Sequence, residues 1–207
     1  MAEKTEVASR IKNVAIAGAG GIGAYLAGFL YDLGVNRNQF PFNDWTWHVY
    51  DSDIIESGNL LHQNFTEDDL GRNKAEVVAE RSVGGFKPVL EFMTAKDLPK
   101  YDVVFSCVDS MTFRKELYEY SWDHPSLYWI DGRCSSRNIG LYNSKVSQKI
   151  LKTALSDSQE RKGCLLLQDK EKKKGHITPV VVASMMAQCF LNHLRGEDTQ
   201  DEILLYL

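Results

Sequence analysis

The chain has 207 residues, of which 43% are hydrophobic and 25% are charged, and its formal net charge is -4. A chain of this length and apolar content can bury one sizeable core, so we expect a single domain over residues 1–207. No basic stripe is present, which argues against a nucleic-acid partner. Residues 1–12 lack the apolar core of a signal peptide, and no segment reaches the roughly 20 apolar residues that span a bilayer. We therefore expect a cytoplasmic protein without a membrane partner.

The cysteine pattern argues against a structural zinc site. Cys107, Cys134, Cys164 and Cys189 are scattered singly, with no C-x-x-C pair among them, and zinc sites usually need such pairs, so we expect no zinc. Cys107 stands in an apolar predicted strand and Cys189 in an apolar predicted helix, so both are expected in the core. Only Cys134 and Cys164 are expected to be accessible.

A glycine-rich turn is the first structural signal along the chain. Residues 13–17 are a short apolar run, and residues 24–33 have helical spacing that stops at Gly34. Between them stands Gly18-Ala19-Gly20-Gly21-Ile22-Gly23. Such a turn lets backbone approach a phosphate closely, and the N-terminus of the following helix supplies N–H groups and a partial positive charge. The segment predicts a strand, a phosphate-binding turn and a helix.

The second strand is predicted at residues 46–50 and ends at Asp51. An acid at that place commonly accepts a hydrogen bond from a ribose hydroxyl. The following polar stretch, residues 52–70, is long for a loop, which favours a functional role. Residues 71–82 then have helical spacing and include Lys74.

The rest of the chain alternates between strands and helices. Further strands are predicted at residues 89–93, 102–108, 127–130 and 139–143, and further helices at residues 110–120 and 180–194. Asp109 falls at the carboxyl end of a nearly all-apolar strand, the edge where open α/β sheets bind ligands. Ser110 is the expected N-cap of the next helix. This order predicts an α/β fold, Rossmann-like, with a doubly wound, mainly parallel sheet flanked by helices.

Several candidate residues also have an ordinary structural explanation. Asp109 could cap a helix, Lys74 could be a solvated lysine, and Asn59 and Gln63 could be polar loop surface. The glycine turn alone would equally fit an NAD-dependent oxidoreductase. That alternative, however, leaves Lys74 and Gln63 without roles, and the sequence contains no convincing hydride-relay constellation. Together, these polar groups suit an enzyme that grips a triphosphate and a metal.

Four segments carry a resemblance to a known family. They are residues 51–65, residues 69–74, residues 101–110 with Arg114, and residues 176–188. Their combination resembles the ThiF/MoeB/HesA superfamily, the ubiquitin-activating type of adenylyltransferase. The resemblance spans about residues 13–196, nearly the whole chain.

The resemblance implies ATP-dependent adenylation of the C-terminal carboxylate of a small ubiquitin-like or sulfur-carrier protein of the β-grasp type, with release of pyrophosphate. It also implies a homodimer and the cofactors ATP and Mg²⁺. The implied nucleotide-binding residues are Gly18, Gly20, Gly21, Gly23, Asp51, Asp53, Asn59, His62, Gln63 and Lys74. In this interpretation Lys74 neutralises phosphate charge and Asp109 is the magnesium ligand, and both are candidate catalytic residues.

Three features depart from or complicate the family pattern. His62 stands where the family has an arginine, a fixed cation suited to bidentate phosphate contact. The family's N-terminal helix, which often carries an arginine, is not indicated here. These departures leave open a catalytically inactive nucleotide-binding scaffold. Cys164 lies between basic segments, as a catalytic thiol in the corresponding loop of relatives would, but it also precedes three leucines, as a core cysteine would.

Overall fold

A single sheet organises the molecule. The computed structural model describes residues 6–156 and 175–207, so Cys164 lies outside the described part. Within that part, seven strands pair in the order β3-β2-β1-β4-β5-β6-β7. The strands are β1 (Asn13–Ala17), β2 (Thr46–Tyr50), β3 (Lys87–Val89), β4 (Val103–Ser106), β5 (Tyr128–Ser135), β6 (Asn138–Asn143) and β7 (Glu202–Tyr206). Strands β1 to β5 pair in parallel, whereas β6 and β7 are antiparallel to their neighbours.

Helices cover both faces of this sheet. They are α1 (Glu6–Arg10), α2 (Gly23–Tyr31), α3 (Lys74–Arg81), α4 (Met111–Asp123), α5 (Gln148–Ser156) and α6 (Thr178–Arg195). The alternation of side chains along β1 divides the core, because Val14 and Ile16 pack with α2, α3 and α6, while Ala15 and Ala17 pack with α4 and α5. The predicted doubly wound, mainly parallel α/β sheet is therefore confirmed.

The predicted strand boundaries are accurate for β1 and β2, whereas β4 is shorter than the predicted residues 102–108. Strand β2 has the predicted bounds, and the predicted N-cap is present because Ser110 Oγ accepts a hydrogen bond from Phe113 N at 3.3 Å. Strand β5 runs beyond the predicted residue 130 to Ser135 because its second half pairs antiparallel with β6. This extension carries Asp131 and Arg133 on a strand.

Other elements differ from the sequence prediction. Strand β3 covers only Lys87–Val89, earlier and shorter than the predicted 89–93, and the short helix α1 and strand β7 were not predicted. Gly34 does not stop the helix that begins at Gly23. That helix continues as a π-helical turn, Asp32–Asn36, in which Gly34 lies against Phe42; a Cβ at Gly34 would meet the Phe42 Cβ at 2.6 Å.

The closing helix α6 begins at Thr178 and ends at Gly196, which has a φ of 70°. That positive φ is the usual way for a glycine to end a helix. In residues 6–156 and 175–207, no helix combines the length and apolar content required to cross a bilayer.

Candidate functional site

A cleft of about 970 Å³ crosses the sheet at the carboxyl ends of β1, β2 and β4. This is the edge at which open α/β sheets bind ligands. Ten of the predicted site residues line it: Gly18, Gly20, Gly21, Asp51, Asp53, Asn59, His62, Gln63, Lys74 and Asp109. Gly23 lies behind the cleft rather than on its wall. Cys107 and Cys134 also line the cleft, and Cys107, which was expected in the core, is half-buried: it packs against the core and follows β4 at the sheet edge.

The glycine turn is held against two neighbouring segments. Gly18 has a φ of 91°, and a Cβ there would come within 2.9 Å of the Cys107 carbonyl oxygen. A Cβ at Gly23 would lie 1.8 Å from the Gly18 carbonyl oxygen. Only glycine allows this approach of turn, strand and helix. No side chain caps the N-terminus of α2, and an uncapped helix N-terminus is a place where an anion can bind.

The carboxylate of Asp51 fixes the turn from the β2 side. It accepts hydrogen bonds from Ala19 N at 2.7 Å and from Asp53 N at 2.9 Å. Burial raises the pKa of Asp51, while these two N–H groups and the charge of Lys74 oppose the rise. Each carboxylate oxygen keeps a lone pair beyond its backbone bond, so the group can still accept from a ribose hydroxyl.

Lys74 and Asp53 form an ion pair on the floor of the cleft. Lys74 Nζ lies 2.8 Å from Asp53 Oδ2, with the lysine side chain 8% exposed and the aspartate side chain 52% exposed. Lys74 is the first residue of α3, and Asn73 caps that helix by accepting from Ala75 N at 2.8 Å. The cap and the ion pair hold the ammonium group at the cleft wall.

Asn59, His62 and Gln63 belong to one tight turn. Asn59 Oδ1 accepts from Glu56 N at 2.9 Å, and the backbone carbonyl of Asn59 accepts from Gln63 N at 2.9 Å. Gln63 Nε2 lies 3.4 Å from His62 Nε2, and the Gln63 amide is next to Gly20, since a Cβ there would be 3.9 Å from both its terminal atoms. Gln63 Oε1 is buried without a hydrogen-bond partner in the described part of the chain. The turn thus presents an amide to the glycine turn.

Asp109 is the exposed carboxylate at the β4 end of the cleft. Ser110 caps α4, so Asp109 does not serve as that cap. Within residues 6–156 and 175–207, no three His, Cys, Asp or Glu side chains group closely enough to hold a metal by themselves. Mg²⁺ commonly binds through one or two carboxylates together with substrate phosphates and water. Asp109 therefore fits a magnesium ligand in a site that the phosphates complete.

A buried network lies beyond Asp109, and the sequence analysis assigned it no role. Asp131 is fully buried, and each of its carboxylate oxygens accepts two hydrogen bonds. Ser106 Oγ (2.6 Å) and Arg114 Nε (3.0 Å) donate to Oδ1, and Tyr118 OH (2.6 Å) and Arg133 Nε (2.7 Å) donate to Oδ2. Burial alone would raise the pKa of Asp131, but the two guanidinium groups and these hydrogen bonds hold it at about 2. The carboxylate is ionised and saturated, so it positions the arginines.

Two arginines line the cleft in which His62 stands at the place of the family's arginine. Arg114 and Arg133 line it, while Arg72 pairs with Glu80 at 2.5 Å outside it, and Arg137 bonds the Leu207 carbonyl. Arg133 reaches the cleft because β5 pairs with β4, a long-range contact that the sequence pattern does not show.

This chain is similar to known proteins in sequence and in fold. The model of the ThiF family matches residues 3–204. The ATP-dependent ubiquitin transferase-like protein Cap2 of Enterobacter hormaechei is 26% identical over 130 residues, which cover 58% of this chain and 20% of Cap2.

Solved structures share the fold. E. coli MccB with MccA superposes with a TM-score of 0.68 at 18% identity, covering 97% of this chain and 62% of that chain. E. coli MccB with ATP gives a TM-score of 0.67 at 18% identity, covering 97% and 63%. The chain thus spans a fifth of Cap2 and less than two thirds of the MccB chains. Because the family match extends over nearly its whole length, the chain belongs to the ThiF family.

Proposed function

We propose that this protein binds ATP and adenylates the C-terminal carboxylate of a small β-grasp protein of the ubiquitin-like or sulfur-carrier type. One observation carries the proposal: the glycine turn, the Lys74 ammonium group and the exposed Asp109 carboxylate line the same cleft. Family membership supports ATP as the nucleotide over NAD. Cap2 is described as ATP-dependent and ubiquitin transferase-like, and MccB structures contain ATP or MccA, which supports a protein or peptide co-substrate.

In the proposed reaction, an oxygen of the substrate carboxylate attacks the α-phosphorus of ATP. The bond from the α-phosphorus to the bridging oxygen breaks, and pyrophosphate leaves with that electron pair. The protein contributes positioning and charge stabilisation. The turn around Gly20 and the N-terminus of α2 bind phosphate oxygens, Lys74 offsets their charge, and Asp51 accepts from the ribose.

Asp109 would hold Mg²⁺ together with the phosphates. The ion would neutralise charge on the leaving pyrophosphate.

The homodimer and the cytoplasmic location expected from the sequence remain predictions.

A scaffold that binds nucleotide without turnover is a second candidate. His62 lies against Gln63 in the cleft, where the resemblance places a fixed cation, and Lys74 is already paired with Asp53. Loss of one such electrostatic contact costs about 10²- to 10³-fold in rate in well-studied enzymes. Turnover with a carrier protein separates this candidate from the enzyme.

The Asp109→Asn variant tests the proposal. Wild type should bind ATP more tightly with Mg²⁺ than without it, and the variant should lose most of that difference because a neutral amide binds magnesium weakly. Titration calorimetry with and without Mg²⁺ measures the effect, and Asp123→Asn at the far end of α4 is the matched control. An unchanged magnesium dependence in Asp109→Asn contradicts the metal role.

A further inference from the structure

The network around Asp131 carries an excess positive charge into the cleft. Arg114 and Arg133 both pair with this one carboxylate, with side chains 8% and 18% exposed. Guanidinium groups stay protonated at any accessible pH. Two cations and one anion therefore leave a net charge of one positive unit in a partly desolvated place. An anion from solution would stabilise that charge strongly.

Arg133 is the member of the pair that can meet such an anion. Arg114 is bound on several sides, since it also donates to the Val108 and Gly132 carbonyls and contacts the Met111 sulfur. Arg133 donates through Nε to Asp131, through Nη1 to the Ala154 carbonyl at 3.1 Å and through Nη2 to Tyr118 OH. Two of its five N–H groups remain without a partner in the described residues.

The guanidinium group of Arg133 is rigidly held. Its Cζ lies 4.8 Å from the centre of the Tyr142 ring, in a cation–π contact. Three hydrogen bonds and this stacking fix its plane before any ligand arrives. A guanidinium group that is already oriented loses little side-chain entropy when it binds a planar carboxylate.

The position of Arg133 in the sheet indicates which anion it receives. In the strand order, Asp51 and Asp53 follow β2, the glycine turn follows β1, Asp109 follows β4, and Arg133 is on β5. Beyond Arg133 the cleft wall becomes apolar, with Leu204 and Tyr206 of β7 on the same sheet face as Arg133 and exposed. A phosphate chain needs no apolar wall. An apolar wall does suit the residues that precede the terminal carboxylate of a peptide.

We propose that Arg133 binds the terminal carboxylate of the substrate polypeptide, and that the residues preceding it lie against the exposed apolar side chains of Leu204 and Tyr206, which share the sheet face of Arg133. This inference rests on the proposed function and deepens it. Asp131 and Tyr118 are positioning residues that orient the arginine. The nucleotide would enter the cleft from the β2 end and the polypeptide from the β7 end, so that the carboxylate at Arg133 meets the α-phosphate near Asp109.

The test uses the tripeptide Leu-Gly-Gly and its C-terminal carboxamide as probes, titrated into the protein with Mg²⁺ and the α,β-methylene analogue of ATP. Wild type should bind the free acid at least about tenfold more tightly than the carboxamide, since a charge-assisted bidentate contact is lost in the amide. Arg133→Gln should abolish this preference and keep the affinity for the nucleotide analogue. Arg37→Gln, which removes an exposed arginine outside the cleft, should behave as wild type.

The outcomes separate this inference from the proposed function. If wild type does not bind the nucleotide, the proposed function fails and the inference fails with it. If wild type binds the nucleotide but has no preference for the free acid, or Arg133→Gln keeps that preference, only the inference is overturned. If Arg133→Gln instead lowers the affinity for the nucleotide analogue, Arg133 is assigned to the phosphates and the inference is overturned. Should Arg133→Gln fail to fold, Arg133→Lys should fold, bind the nucleotide and show a reduced preference, because lysine keeps the charge without the planar fork.

Discussion

Lys74 is a nearly buried cation whose partner in the described structure is a half-exposed carboxylate. The Asp53 side chain has more than six times the fractional exposure of the Lys74 side chain. A triphosphate entering the cleft would offer Lys74 a stronger anion, and Asp53 can be rehydrated at little cost. The ion pair therefore holds the Lys74 ammonium group in place, and a phosphate can still displace Asp53 from it.

Replacing Lys74 with alanine should weaken ATP binding by roughly tenfold or more and leave adenosine binding nearly unchanged, because adenosine has no phosphate for the ammonium group to meet. Parallel titrations with ATP and adenosine measure the two effects. Lys100→Ala, which removes an exposed lysine paired with Asp97, is the control. An equal loss for both ligands would show that Lys74 supports the fold of the site rather than the phosphates.

At the residue scale, the sequence predicted which residues line the cleft when they lie close to a strand end or a helix start. The glycine turn, Asp51, Lys74 and Asp109 line one cleft because each follows a strand or opens a helix at the same sheet edge. The role of Asp131 was not predictable, since its four donors come from β4, α4 and β5. The role of Cys164 stays a prediction because that residue lies outside the described part.

The unit of β1, the glycine turn and α2 depends on very close packing. Gly23, the first residue of α2, touches the backbone of Gly18, whereas Gly28, five residues later, has no atom within 4 Å of an added Cβ. The same helix therefore contains one glycine that the geometry requires and one that it does not.

Gly23→Ala should lower the free energy of unfolding by about 1 to 3 kcal/mol, because the new methyl group must push α2 away from the turn. It should also weaken ATP binding. Gly28→Ala should raise the free energy of unfolding by up to about 1 kcal/mol, since alanine favours a helix interior. Urea unfolding of both variants gives the comparison. If the two variants have the same stability, the close-packing argument is wrong.

Elements with a strong local pattern were predicted well, and elements defined by pairing were not. Strand β2 has its predicted bounds because apolar residues end at a polar loop. Strand β5 continues through Asp131-Gly132-Arg133 because β6 pairs with this segment. The local sequence, with a glycine between two charged residues, does not indicate a strand there. Strand β7 exists through its pairing with β6, a partner about sixty residues earlier in the chain.

At the scale of the whole molecule, the sheet places three kinds of chemistry along one cleft. Acids and Lys74 lie at the β2 end, the glycine turn and Asp109 lie in the middle, and the arginines with an apolar wall lie toward β7. Core clusters on both faces of the sheet pack against the strands that carry this edge. The single domain over residues 1–207 stays a prediction consistent with that arrangement.

The most direct test of the central claim is calorimetric titration of the purified protein with ATP and, separately, with NAD, each with and without Mg²⁺. We predict ATP binding that tightens with Mg²⁺, and no binding of NAD. Binding of NAD alone would contradict the account and favour an oxidoreductase, and the absence of ATP binding under either condition would contradict it as well.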